Sequence, residues 1–95
     1  MREAEIEKYL VERAKALGGE VRKVRWIGRR GAPDRLVMLP DDPRTGQWAA
    51  TIWVELKAPG QKPKPHQLRE HERMRRMGQR VEVVDSIERV EEVLG

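Results

Sequence analysis

The sequence predicts one α/β domain over residues 1–95, with elements in the order α-β-β-β-α-β-α and a central mixed sheet flanked by helices. Three observations lead to this prediction. Apolar residues recur at helical spacing near both ends of the chain, two strand-like runs are joined by a turn-rich segment, and a further helical pattern precedes the last strand. A length of 95 residues suits a single hydrophobic core, and the chain contains no internal repeat.

Local patterns predict the first helix and the first strand. A helix is expected over residues 2–17, because its apolar residues share one side and two glycines follow them. These apolar residues are Ile6, Leu10, Ala14 and Leu17. Residues 20–26 are typical of a strand, and the glycine-containing residues 28–33 are typical of a loop.

A β-hairpin is predicted in the middle of the chain. Residues 35–39 form an apolar run closed by Pro40, residues 41–46 are rich in turn formers, and residues 48–57 form the second arm. Alternation assigns one face of that arm to the core, namely Trp48, Ala50, Ile52, Val54 and Leu56. The opposite face carries Ala49, Thr51, Trp53, Glu55 and Lys57, so an acid and a base stand side by side on it.

The last three elements follow a proline-rich break. Three prolines within residues 59–65 cannot extend a strand, and Pro65 is well placed to open a helix over residues 66–77 that ends at Gly78. Residues 80–84 predict a further strand. Asp85 and Ser86 predict a cap for a final helix with apolar Ile87, Val90, Val93 and Leu94.

Composition narrows the class of protein. Lysine and arginine outnumber the acids by 20 to 16, and between residues 22 and 35 the only acid is Asp34, which predicts a basic surface that faces phosphates. The alternative is an ordinary solvated charged face. The absence of cysteine excludes disulfides and thiolate metal sites. The charged N-terminus and the lack of a long apolar run predict a soluble cytoplasmic protein.

Two short segments carry the candidate chemistry. Glu55 and Lys57 lie two residues apart on one strand and therefore project from the same face, while Asp34 precedes the paired strand. Two carboxylates this close repel unless a cation lies between them, and Mg²⁺ suits a site with few protein oxygens. Lys57 would then orient water or stabilise charge on a phosphate. The alternative is a surface Glu–Lys pair with Asp34 as a turn acid.

Four motifs together resemble the VRR-Nuc (virus-type replication-repair nuclease) domain of the PD-(D/E)xK restriction-endonuclease-like superfamily. They are Glu3 with Ile6, RGAPDR from Arg30, VELKAPG from Val54, and PHQLREH from Pro65. The resemblance covers nearly the whole chain and implies a restriction-endonuclease-like core. It implies that Asp34, Glu55 and the backbone carbonyl of Leu56 bind the metal, that Lys57 is the catalytic lysine, and that Gln67 lies near the metal or the scissile phosphate.

Other polar residues leave alternatives open. Glu3 falls within the apolar stripe of the first helix, where it either reaches the metal, as the resemblance implies, or favours the helix N-terminus. His71 shares a helix face with Gln67, and a lone histidine there is more often structural than catalytic. Asp41 and Asp42, followed by Pro43, are typical of a turn and not of a second metal site.

The basic residues beside these motifs are candidate DNA contacts. Arg29, Arg30 and Arg35 flank Asp34, and Lys62 and Lys64 follow Lys57, so both loops are expected to hold phosphates without reading sequence. Trp26, Trp48 and Trp53 either stack on unpaired bases or supply core or subunit-interface bulk, and we expect Trp48 in the core.

The expected activity is metal-dependent endonucleolytic cleavage of DNA, with Mg²⁺ or Mn²⁺. The resemblance implies a phage or bacterial homodimer that cleaves Holliday junctions, and a symmetric dimer offers the two sites that a four-way junction requires. A flap or nicking nuclease and a non-catalytic DNA-binding subunit are the alternatives. Basic charge is the only feature in favour of an RNase or a structural assembly protein.

Overall fold

A computed structural model describes all 95 residues and contains the seven predicted elements in the predicted order. The helices are α1 (Glu3–Ala16), α2 (Pro65–Arg76) and α3 (Ile87–Leu94). The strands are β1 (Glu20–Lys23), β2 (Arg35–Leu39), β3 (Ala50–Leu56) and β4 (Val81–Val84). The four strands form one mixed sheet in the order β1-β2-β3-β4.

Sheet topology follows from the length of each connection. β1, β2 and β3 pair antiparallel in succession, whereas β3 and β4 pair parallel, as they must when a helix returns the chain to the same sheet edge. The predicted hairpin and crossover helix are therefore confirmed. Ser86 caps α3, as predicted, by accepting a hydrogen bond from the backbone N–H of Arg89 at 3.0 Å.

The hydrophobic core lies between the sheet and the α1–α3 pair. Its members are buried aliphatic residues: Ile6, Leu10, Ala14, Val37, Leu39, Ile52, Val54, Leu56, Val84, Val90, Val93 and Leu94. The predicted core positions Ile52, Val54 and Leu56 are confirmed, and Ala50 packs against the cluster while half-buried. α2 lies against the opposite face, so that the sheet is covered on both sides near β3 and β4.

Two strand boundaries differ from the prediction. β1 ends at Lys23, whose partner Arg35 is the first residue of β2, and beyond this pair one backbone hydrogen bond joins Val24 to the carbonyl of Asp34. β3 begins at Ala50, which pairs with Leu39, the last residue before Pro40. Trp48 therefore lies outside the sheet with 83% of its surface exposed, and the prediction that it belongs to the core is wrong.

None of the three helices combines the length and apolar character that a membrane crossing demands.

Candidate active site

The β2–β3 register determines where the two candidate carboxylates lie. Arg35 pairs with Val54, so one more step of the same register sets Asp34 opposite Glu55 on one face of the sheet. The backbone N–H of Val24 donates to the Asp34 carbonyl at 2.9 Å, which holds this end of β2 against the chain beyond β1. The sheet thus brings together two acids that are 21 positions apart in the sequence.

Glu55 is buried beneath α2, with only 8% of its surface exposed. Its Oε1 lies 3.2 Å from Nε2 of His71, an imidazole with no solvent exposure. Burial, and next the cationic side chains of Arg75 and Lys57, lower the pKa of His71 and keep it neutral. A neutral ring that carries its proton on Nε2 donates to the carboxylate, which fixes the orientation of Glu55.

Several charged side chains act on the carboxyl group of Glu55. Burial raises the pKa of Glu55 from 4.5 to about 7, the ammonium of Lys57 opposes this rise, and the carboxylates of Asp34 and Glu3 add to it. A carboxylate retains its charge poorly when it is desolvated beside other acids. The site therefore favours a counter-charge, which a proton or a metal cation can supply.

The side chain of Lys57 is anchored by the first turn of α2. Its Nζ donates to Oε1 of Gln67 at 2.9 Å, and the same oxygen accepts the backbone N–H of Lys64 at 2.8 Å. Pro65 at the first helical position starts α2 here and leaves Gln67 able to turn back to the cap. Gln67 therefore couples the start of α2 to the ammonium of Lys57, and its position near the metal or the scissile phosphate stays a prediction.

Asp34 remains accessible, with 54% of its side chain exposed, and its Oδ1 lies 2.8 Å from Nη1 of Arg35. Arg35 also binds Glu7 of α1, and only 12% of its side chain is exposed. Its guanidinium is therefore engaged by two carboxylates on the protein side. Arg35 therefore supports Asp34 from the protein side, and the expectation that it contacts DNA stays a prediction.

The other predicted phosphate contacts line two exposed loops beside the site. Arg30, Lys62 and Lys64 are exposed, and Arg29 forms a 3.4 Å ion pair with the buried Glu70 of α2. Burial lowers the pKa of His66, and the neighbouring cations Arg30, Lys64, Arg69 and Lys57 lower it further, which marks a positive field at this rim. The assignment of these residues to DNA contact stays a prediction.

The donor set at the centre suits a hard divalent cation, although no three histidine or acidic side chains form a preformed cage in this structure. Asp34 and Glu55 provide carboxylates from paired strands, and their mutual repulsion is relieved by a cation. Mg²⁺ commonly uses one or two carboxylates and keeps several waters, so a larger cage is not required. Glu3 lies exposed in the first turn of α1, and its direct part in the site stays a prediction.

The contact between His71 and Glu55 was missed by sequence reasoning. The sequence favours a structural role for His71, because a pattern of apolar and polar positions does not show which residue a buried ring contacts. Its spacing of four from Gln67 was the available signal, since both then face the sheet.

Comparisons with known proteins agree with the motifs. No family model matches the chain. It is 49% identical over 86 residues to the phage protein "Putative nuclease p44" of Acyrthosiphon pisum secondary endosymbiont phage 1, a match that covers 90% of this chain and 85% of that protein. A solved structure of a VRR_NUC domain superposes with a TM-score of 0.79 at 48% identity, covering 96% of this chain and 91% of the other. The chain is therefore a member of the VRR-Nuc nuclease family.

Proposed function

We propose that this protein is a metal-dependent endonuclease that hydrolyses phosphodiester bonds in branched DNA, with a homodimer and the Holliday junction as the favoured assembly and substrate. The observation that carries the proposal is the convergence of Asp34, Glu55 and Lys57 on one face of the β2–β3 hairpin. The basic rim of Arg29, Arg30, Lys62 and Lys64 supports a phosphate-bearing substrate. Family membership supports nuclease chemistry. The junction is the first substrate to test because the motif resemblance implies it.

The proposed chemistry assigns a distinct task to each side chain. Asp34 and Glu55 would hold Mg²⁺ or Mn²⁺, and the resemblance adds the carbonyl of Leu56 and the carboxylate of Glu3. A bound divalent ion polarises a phosphoryl oxygen and lowers the pKa of a water ligand. The ammonium of Lys57, anchored by Gln67, stabilises negative charge that develops on the phosphate. The neutral ring of His71 holds the Glu55 carboxylate in one orientation.

Burial explains why this arrangement suits hydrolysis better than a surface Glu–Lys pair would. Glu55 is covered by α2, so its interactions with a cation and with Lys57 are screened less than they would be in water. Asp34 stays accessible and leaves an open side for substrate. The site is therefore anchored on the protein side and open toward the basic loops.

The decisive experiment is cleavage of end-labelled DNA. Four-way junction, flap, single-stranded and linear duplex substrates are incubated with Mg²⁺, Mn²⁺ or EDTA and wild-type protein, Asp34→Asn or Lys57→Met. The exposed residues Glu12 and Lys15 on α1 provide charge-matched controls as Glu12→Gln and Lys15→Met. We expect metal-dependent cleavage that falls roughly 100-fold or more in both site variants and in neither control.

The products identify the substrate and the assembly. Symmetric paired cuts in the junction, together with a dimeric mass by light scattering, support the junction-cleaving dimer. Metal-dependent cleavage of flaps or of a single strand instead retains the nuclease and refutes the junction as its target. Metal-independent binding of DNA with no cleavage of any substrate refutes the enzyme and supports a binding subunit.

A further inference from the structure

A groove beside Asp34 is not used by the proposed chemistry. It has a volume of about 520 Å³, and Lys23, Arg25, Trp26, Arg29 and Asp34 are among the residues that line it. We call it the Trp26 groove. Pockets for small ligands commonly have volumes of about 300–1,000 Å³, so a groove of this size has room for one nucleotide.

Trp26 is held in a fixed position at this groove. Its Nε1 donates to the carbonyl of Pro33 at 2.8 Å, and its ring lies 5.2 Å from that of Trp53 at an angle of 47°. Trp53 is held in turn by a 3.0 Å bond from its Nε1 to Gln79. Even so, 36% of Trp26 remains exposed. An indole that is anchored by its polar edge and still exposed is a suitable platform for base stacking.

The charges around this indole suit a nucleic-acid strand. Lys23 and Arg25 are exposed and form no salt bridge, and Arg29 is held only by the 3.4 Å pair with Glu70. Cationic side chains in the same groove as an exposed aromatic ring are the combination that binds phosphates and bases of a single strand. Asp34 lines the same groove, so a strand lying in it leads directly to the candidate metal ligands.

The loop that carries Trp26 is held against the rest of the protein, which favours a binding surface over a flexible segment. Gly31 has a φ of +87°, and a Cβ at this position would lie 2.9 Å from the carbonyl oxygen of His66. The glycine therefore allows the loop of residues 24–34, which carries Trp26, to pack closely on the start of α2, where Lys57 is anchored through Gln67. The groove and the candidate site are thus parts of one packed unit.

We propose that the Trp26 groove binds one unpaired nucleotide of the DNA strand next to the scissile phosphate, with its base stacked on Trp26 and its phosphates held by Lys23 and Arg25. This inference rests on the proposed action on DNA. A paired base has its faces covered by its neighbours in the duplex, so stacking on protein requires an unpaired or displaced base. The groove therefore selects DNA with unpaired nucleotides at the cut, such as a flap or an opened branch point.

The test measures binding without cleavage. Fluorescence anisotropy in EDTA compares a duplex that carries a single-stranded arm with a blunt duplex of equal length, for wild type, Trp26→Ala and Trp26→Phe. Trp48 is 83% exposed outside the groove, so Trp48→Ala is the matched control. Loss of one stacked base predicts a weakening of roughly 5- to 150-fold for the armed DNA in Trp26→Ala. We expect a change of less than about twofold for the blunt duplex, and Trp26→Phe, which keeps an aromatic face but loses the bond to Pro33, should bind the armed DNA more tightly than Trp26→Ala.

A measurement on the unmodified protein covers the case in which Trp26→Ala disturbs the loop. 2-Aminopurine, a fluorescent base analogue quenched by stacking, is placed in the arm beside the branch or within the paired region. Quenching by wild-type protein only in the arm supports the proposal. Unchanged emission at saturation, equal weakening for both DNAs, or the same loss in Trp48→Ala overturns it.

These readouts separate the groove from the chemistry. Binding in EDTA involves no cleavage, so stacking without any metal-dependent cutting refutes the proposed enzyme and leaves the groove in place. Metal-dependent cutting that Trp26→Ala leaves unchanged on every substrate, with no quenching in the arm, refutes the groove and leaves the enzyme in place.

Discussion

Replacement of Glu55 by glutamine tests the electrostatics of the site without DNA. In the metal-free protein, burial beside Asp34 and Glu3 raises the pKa of Glu55 from 4.5 to about 7. A raised pKa in the folded state means that Glu55 favours folding below pH 4.5 and loses this contribution as the pH rises to about 7. At about 1.4 kcal/mol per pH unit, the full difference corresponds to about 3 kcal/mol.

The variant Glu55→Gln keeps the shape of the protonated acid and removes its titration. We expect wild type and variant to have similar free energies of unfolding at pH 4.5, and the variant to be more stable by up to about 3 kcal/mol at pH 8 in EDTA. Urea denaturation followed by circular dichroism at pH 4.5, 6, 7 and 8 measures this difference in the free energy of unfolding between wild type and variant. The difference between the two proteins cancels the titration of groups that both share and that do not contact Glu55, such as His66.

Mg²⁺ should make wild type more stable than Glu55→Gln at pH 8, the reverse of the order expected in EDTA. A cation that binds the ionised carboxylate stabilises wild type at pH 8 and has little effect on Glu55→Gln. The exposed residue Glu72 on the same covering helix provides the charge-matched control Glu72→Gln. A pH-independent gap between wild type and Glu55→Gln would refute the conclusion that burial perturbs this carboxyl group.

Three further predictions follow from individual contacts. His71→Phe removes the donor that orients Glu55, so we expect the affinity for Mn²⁺, measured by electron paramagnetic resonance, to fall by roughly 10- to 100-fold. His71→Gln should restore part of that affinity, and an unchanged affinity in His71→Phe would assign His71 to packing alone. Gly31→Ala and Gly46→Ala both place an alanine at a positive φ, at a cost of roughly 1–2 kcal/mol, but only the new Cβ at position 31 contacts His66. Gly31→Ala should therefore lose more stability in thermal unfolding and more activity in cleavage assays. Leu10→Ala should lower the free energy of unfolding, measured by urea denaturation, by about 2–5 kcal/mol because Leu10 is fully buried, whereas Trp48→Ala should change it by less than about 0.5 kcal/mol. Comparable losses in the two variants would contradict the solvent exposure of Trp48.

Local pattern was sufficient for most of the fold. Alternation along β3 correctly assigned Ile52, Val54 and Leu56 to the core, and turn residues between two apolar runs predicted the hairpin, because both signals lie within a few residues of each other. The ends of strands were less predictable. Trp48 continues the alternation of β3, but the partner strand ends before Pro40, at the pair of Leu39 with Ala50. Trp48 therefore has no pairing partner and lies outside the sheet.

The sequence alone determined the order of the seven elements, the family motifs and the pairing of Glu55 with Lys57 on one face, because each depends on periodicity or on short spacing. The tertiary structure alone decided that α2 buries Glu55 against His71, that Arg35 is bound by Asp34 and Glu7, and that Trp26 forms an exposed surface beside Asp34. These outcomes depend on which faces meet when distant segments pack. Burial and electrostatic coupling are properties of that packing, and the spacing of residues along a chain does not contain them.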